Sequence, residues 1–413
     1  MMTPIPYGTV EPWWKAAFVC AVFAICILAL IENTSVAGKP VLLPMLALTV
    51  LAFIQTLSLG SRTEANLQVW NAISADPYQT RFFGLQMLAL TAFLALLYRY
   101  ANTERRVRVL VYTVLGIAVA SAVFGILRQS TQQEMGFILP LLRRAQGYGQ
   151  FVNKNHFAYL MEMAFGLGLG IILGGGVKRD RLMIYVALLL PIWTALVLAN
   201  SRGGVLAMIT QIVVAVFLLT IRQSAAMRAV LMVVLVVAIA LGTFWVGGDR
   251  LASNFEGARS EFATDTLRQG VSRNEIWRAT LKMFAAHPIL GVGLGGYWIG
   301  ITAYHDASGL MTPQEAHNDY LELLSSGGVI GFALGVWFVV AVVRKARENL
   351  TGATGYMRAV RFGAILGIAG VAAHSLVDFG LHIIVNAVVF LTLIMLATTE
   401  FSHAKAQSRK VES

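Results

Sequence analysis

Charge is what this chain has least of. Only 13% of its 413 residues are Asp, Glu, Lys or Arg, about half the share usual in a globular domain. So few charges do not cover a water-facing surface, which excludes an ordinary soluble protein. Cysteine is nearly absent too. Cys20 and Cys26 both fall inside the first apolar run, which excludes a disulfide scaffold and a Cys-ligated metal site. There is no P-loop, no Gly-x-Ser-x-Gly, and no acidic pair of the kind that holds Mg²⁺ in nucleotide-sugar enzymes. Internal repeats and low-complexity tracts are missing, and no A-x-A-like site follows the first apolar run, so a cleaved leader is not expected.

What is present is apolar. Hydrophobic residues make up 57% of the chain and the mean hydropathy is +0.69. About eleven stretches, with a range of 10–12, reach the roughly 17–25 residues needed to cross a bilayer. They are Trp13–Ile31, Val41–Leu59, Arg81–Tyr100, Val107–Leu127, Asn155–Leu173, Leu182–Ala199, Val205–Ile221, Met227–Val246, Gly327–Val343, Phe362–Asp378 and Ile383–Thr399. Period-2 alternation is absent and lipid admits only helices or closed barrels, so the expected fold is an all-α polytopic membrane protein. Its expected divisions are helices over 1–128, central helices with a first outward loop over 129–246, and a large outward loop with short helices over 247–326. Further helices follow over 327–400, then a tail over 401–413.

The formal charge of +11 is mostly topology. Arg99, Arg105, Arg106 and Arg108 form one cluster, Lys178, Arg179 and Arg181 another, and Arg222 and Arg228 a third. Arg344, Lys345, Arg347, Arg358 and Arg361 form a fourth, and Lys405, Arg409 and Lys410 lie in the tail. These 17 of the 32 Lys and Arg fall in alternate loops, as the positive-inside rule requires. The C-terminus is therefore expected in the cytoplasm, and the loops near 128–154, 200–204, 247–326 and 378–382 outside. No basic, aromatic-interleaved soluble domain remains to bind nucleic acid.

A few cations sit where topology does not put them. Arg202 follows Asn200 and Ser201 at a tight turn between apolar helices, with Gly203 and Gly204 behind it. An Arg at a membrane edge must find an anion. The glycines let a backbone approach closely, and a helix N-terminus adds positive potential. The two readings are a lipid headgroup contact and a phosphate clamp for a lipid-linked substrate. Arg273 and Arg278, five residues apart on a helix, point about 140° from one another, so only one, with Arg273 preferred, faces such a site.

Of seven histidines, His317 is the best placed, in Glu315-Ala316-His317-Asn318-Asp319-Tyr320-Leu321 where the outward loop enters a span. Imidazole is the side chain most easily poised to accept a hydroxyl proton near neutral pH. His287, before Pro288, reads as a helix end. His374, Asp378 and His382 repeat at four-residue spacing and read as a polar cluster in preference to a zinc set. Gly291-Val292-Gly293-Leu294-Gly295-Gly296 mimics a dinucleotide fingerprint without its strand–turn–helix context.

Taken in order, these stretches resemble the O-antigen ligase and O-antigen polymerase superfamily. The matching features are Gly149-x-Phe151-x-Asn153-Lys154-Asn155-His156-Phe157-Ala158 and Asn200-Ser201-Arg202-Gly203-Gly204. Arg273 to Trp277 follows, then His287-Pro288-Ile289-x-Gly291-Val292-Gly293-x-Gly295. Ala316-His317-Asn318-Asp319-Tyr320-Leu321 and Gly327-Gly328-Val329-Ile330-Gly331 complete the set. The resemblance covers about 145–385.

It implies a metal-independent glycosyltransferase without cofactor, in the bacterial inner membrane. Such an enzyme moves a glycan from undecaprenyl diphosphate to an acceptor hydroxyl at the periplasmic face. His317 would be the general base, and Arg202 and Arg273 would hold the diphosphate, with Arg278, Lys154 and His156 as further substrate-binding candidates. Lipid A core is the first acceptor expected, a second carrier-linked glycan (a polymerase) the next, and protein a third. A polysaccharide or lipid transporter is the reading from another class. It would place substrate-binding charge at mid-membrane and often show repeats.

Overall fold

The computed structural model describes residues 11–30, 38–64, 67–131, 135–136, 139–143, 147–220, 273–305 and 312–400, with the single positions 233 and 237. Helices dominate: α1 (Pro12–Leu30), α2 (Lys39–Gln55), α3 (Pro77–Tyr100), α4 (Glu104–Thr131), α5 (Lys154–Leu173) and α6 (Leu182–Leu198). After them come α7 (Arg202–Leu219), α8 (Arg273–Ala286), α9 (Asp319–Gly352), α10 (Gly355–His374) and α11 (Ile384–Thr398). Two antiparallel hairpins join helices, β1 (Ser58–Glu64) with β2 (Leu67–Ala72), and β3 (Met135–Gly136) with β4 (Leu139–Arg143). Eight of the described helices are long and apolar enough to cross a membrane, and α2 and α11 are shorter apolar helices. The expected span 227–246 lies outside the described residues. The protein is an all-α polytopic membrane protein.

Burial separates centre from rim. In α5, 83% of the apolar window is buried, against 11% in α1. The centre is held by a seam of small residues. Gly166 and Gly170 on α5, with Gly174 at its end, face Gly367, Gly363 and Ala359 on the antiparallel α10, and a Cβ at Gly166 would lie 2.7 Å from the Gly367 nitrogen. Between apolar helices in lipid, close backbone approach of this kind supplies the attraction that the hydrophobic effect does not. The seam continues into a fully buried pair, His374 Nδ1 with Glu162 Oε2 at 2.7 Å, whose imidazole stacks on Tyr159 at 4.0 Å.

α9 is longer than its apolar stretch suggests, because its first turns carry Asp319, Glu322, Ser325 and Ser326. It breaks at Gly328, which has φ 64°. A broken helix in a bilayer needs new partners for the freed backbone groups. The glycine-rich segment 288–294 provides them. Val292 N and Gly293 N donate to Ser325 O and Ser326 O, and Val329 N and Ile330 N donate to Pro288 O and Ile289 O. Gln55 closes the seam: its Nε2 donates to Leu290 O (2.6 Å) and Ser326 O (2.9 Å), and its Oε1 accepts from Leu294 N (3.0 Å). The dinucleotide-like glycines are thus structural. Gly291 has φ 66°, and any Cβ there would collide with the Ser326 backbone.

The helix ends away from this seam carry Tyr98, bonded to Thr398 (2.5 Å), and Lys345, paired with Glu400 (2.7 Å). Arg361, counted above with the topology cations, is buried instead, donating to Asn349 O (2.6 Å) and Thr399 O (2.8 Å).

Candidate functional site

Three polar caps start the helices that frame the site. Asn153 Oδ1 accepts from Asn155 N (2.8 Å) at α5, Ser201 Oγ from Gly204 N (3.2 Å) at α7, and Asn318 Oδ1 from Tyr320 N and Leu321 N (3.0 Å each) at α9. Asn and Ser are favoured there because their side chains satisfy backbone donors that the first turn leaves free. The caps place Lys154 and Arg202 as first residues of α5 and α7, while Arg273 is the first of α8. Asn200 (φ 54°) and His317 (φ 51°) adopt the left-handed region immediately before or near these starts. Each helix start adds partial positive charge to the cations it carries.

Asp378, in the turn after α10, is the point on which the starts of α5, α8 and α9 meet. Its side chain is 1% exposed. Asn155 Nδ2 donates to Oδ2, and Phe379 N donates to Oδ1 at 2.9 Å. Arg273 Nη2 lies 3.9 Å from Oδ2 and His317 Nδ1 lies 3.8 Å from Oδ1. Burial works to raise the Asp378 pKa. The His317 imidazole, the charge of His374, the Phe379 NH and His156 outweigh it and hold the carboxyl down to about 2. Asp378 therefore stays ionised and faces Nδ1 of His317. At 3.8 Å the contact is longer than a hydrogen bond.

Around this carboxylate, Phe379 packs edge-on against His156 (5.0 Å), His317 (4.9 Å) and His382 (5.8 Å). His382 belongs to a second cluster. Its Nδ1 is 3.3 Å from Glu315, and its Nε2 is 3.6 Å from both Asp319 and Glu322. Burial works against its charge, but Glu315, Glu322 and Asp319 raise its pKa to about 10. Glu315, Glu322 and His382 are also the group placed to hold a metal ion among the described residues, with ligand atoms within 4.8 Å of one another. A His and two carboxylates suit a divalent cation. His374, Asp378 and His382, by contrast, turn to three different partners and form no common ligand set.

The residues expected from the sequence divide accordingly. Arg273 and His317 come together on Asp378. Lys154 neighbours Asn155, and Arg202, exposed at the start of α7, lies near enough for its charge to repel that of Lys154. His156 is in the cluster but 5% exposed, packed on Phe379 with its carbonyl accepting from Asn386. Arg278 is exposed on α8 without the contacts that tie Arg273 to Asp378. Arg128 donates to Gly149 O (2.7 Å). His287 is exposed where α8 ends, its NH donating to Met283 O.

Asp378 and Asn155 are the functional candidates that sequence reading passed over. Asp378 was visible only as the middle of a His-x3-Asp-x3-His spacing, and Asn155 only as part of a motif. Nothing local ties either to Arg273, more than a hundred residues away from both.

Comparison with known proteins adds one finding. Residues 184–336 match the family model described as O-antigen ligase, a stretch that includes Arg202, Arg273, Arg278 and His317 and leaves out Lys154, His156 and Asp378. No curated protein matches.

Proposed function

We propose that this chain, whose residues 184–336 match the family model described as O-antigen ligase, transfers a glycan from undecaprenyl diphosphate to an acceptor hydroxyl. That match supports a membrane glycosyltransferase of ligase or polymerase type acting on lipid-linked glycans; the donor, acceptor and residue roles are our reading. The observation that carries it is the meeting of Arg273, His317 and Asn155 on buried Asp378, with Lys154 and Arg202 beside them.

His317 takes the acceptor hydroxyl proton on Nε2 as the acceptor oxygen bonds to the anomeric carbon. The bond from that carbon to the diphosphate oxygen breaks, and the electron pair leaves with the diphosphate. Arg202 and Arg273 neutralise the charge that develops there, with Lys154 adding to the same potential. Guanidinium groups supply this without a metal, so the reading places transfer itself outside any dependence on a cation. Asp378 orients His317 and Arg273 together. The far helix ends carry Arg105, Arg106, Arg108 and Arg344. This fits a plasma-membrane (inner-membrane) protein with that face and the C-terminus cytoplasmic and the site periplasmic.

Lipid A core is the acceptor we propose, since the matched model is described as a ligase. The test supplies purified protein with undecaprenyl-diphosphate glycan and, separately, lipid A core or a second carrier-linked glycan, in EDTA. Glycan on lipid A core supports the ligase; longer carrier-linked chains alone identify a polymerase. No transfer to either acceptor overturns the reading, and transfer that EDTA abolishes overturns its metal-free step.

A further inference from the structure

We infer that Trp277 and Glu322 are positioning residues for His317, acting as a two-sided clamp on the residue before it, Ala316. The inference rests on the reading of His317 as the base, and concerns what holds that side chain over Asp378.

Ala316 is fully buried, and both its backbone groups are held by side chains from different helices. Its NH donates to Glu322 Oε2 at 2.8 Å, and its carbonyl accepts from Trp277 Nε1 at 3.0 Å. Glu322 lies one turn into α9. Trp277 lies on α8 four residues after Arg273, one turn along the helix that carries the diphosphate cation.

The next residue, His317, has φ 51°, a left-handed backbone that a non-glycine residue keeps only when its surroundings enforce it. On its other side, Asn318 caps α9 and donates from Nδ2 to Leu376 O (2.9 Å), and Asp319 N donates to Ser375 O (3.0 Å). That side is thereby tied to the end of α10, three residues or fewer before Asp378. The clamp fixes the one side of His317 that this anchor does not reach. With both sides fixed, the Nδ1 face of the imidazole is set against Asp378 instead of sampling other directions. Holding a base within a fraction of an ångström of its productive place is a large part of what a supporting shell contributes.

The geometry requires an acceptor at 322 and an indole NH at 277, not a charge at either. Trp277→Phe keeps the ring and removes the donor; Glu322→Leu removes the acceptor; Glu322→Gln retains one. Each variant is purified as full chain and measured for transfer kinetics, thermal unfolding, and diethyl pyrocarbonate labelling of His317 by mass spectrometry.

Trp277→Phe and Glu322→Leu are expected to lower kcat about tenfold, the size of one buried hydrogen bond. Donor KM should stay within about twofold, and labelling of His317 should accelerate. Glu322→Gln should recover most of the kcat. Should Glu322→Leu not fold, Trp277→Phe decides alone. Wild-type kcat and wild-type labelling in Trp277→Phe overturn the clamp, as does a Glu322→Gln defect equal to that of Glu322→Leu. Accelerated labelling together with full activity in His317→Ala leaves the clamp standing and removes the base assignment instead.

Discussion

Replacing Asp378 by Asn removes the charge at the centre of the site with little change of shape. The Phe379 NH keeps an acceptor, while Arg273 and His317 lose their anion. Two magnitudes follow. A carboxyl held at about 2 instead of its ordinary 3.8 corresponds to about 2 kcal/mol of folded-state stability. Because the folded pKa is depressed, that contribution is present above pH 3.8 and lost as the pH falls through about 2. The variant therefore lacks it throughout the neutral range.

For the site itself, unit charges 3.9 Å apart attract by about 4 kcal/mol at an effective dielectric of 20. Arg273 is 31% exposed, so screening reduces this to about 1–2 kcal/mol, or roughly 5–30-fold in rate. Misorientation of His317 adds to it. Asp378→Asn is expected to lower the unfolding midpoint in detergent and to cut kcat/KM for transfer by about 10–100-fold. Unchanged kcat/KM in a folded variant refutes the role given to Asp378, and a stability loss without a rate loss makes it a structural carboxylate only.

Other outcomes are expected elsewhere in the molecule. Gln55→Leu removes the amide that bonds Leu290 O and Leu294 N, at about 1–3 kcal/mol for each buried group left unsatisfied, while Ser326 O keeps Gly293 N. A wild-type unfolding midpoint would show that the α9 break does not depend on it. His382 gains its raised pKa on folding, so its stabilisation is complete below pH 6.5 and is lost as the pH rises through about 10. The wild-type midpoint should fall more steeply over that window than that of His382→Gln, and parallel slopes contradict the cluster. Arg202→Ala and Arg273→Ala should each reduce kcat/KM for the lipid-linked donor by about 10²-fold, typical of removing one preorganised stabiliser. Equal donor kinetics in either variant removes that residue from the diphosphate site.

The helices were legible because hydropathy and alternating charge are local signals. α3, α5, α6 and α11 begin or end within a few residues of their apolar runs. α9 and α10 start earlier than expected because their first turns are polar: Asp319 and Glu322 in one, Arg358 and Arg361 in the other. Arg202 and Arg273 stood out as cations that topology does not explain, and His317 as an imidazole where the outward loop enters a span. Arg361 was counted with the topology cations; its partners, Asn349 O and Thr399 O, are backbone groups that no charge count reveals.

Asp378, Asn155 and Gln55 were opaque for a different cause. Each acts through contacts hundreds of residues away in sequence, or nearly so, and a single polar residue at a helix end looks the same whether it anchors a site or faces water. The glycine run at 291–296 illustrates the converse. Its dinucleotide-like spacing lacks the strand–turn–helix context, but its task, meeting a break at Gly328, requires knowing where α9 bends.

The account rests most heavily on His317. Its direct measurement is single-turnover transfer by purified His317→Ala from undecaprenyl-diphosphate glycan to acceptor, beside the wild type. General-base catalysis predicts a loss of about 10²–10⁴-fold. A His317→Ala enzyme that transfers glycan at the wild-type rate contradicts it.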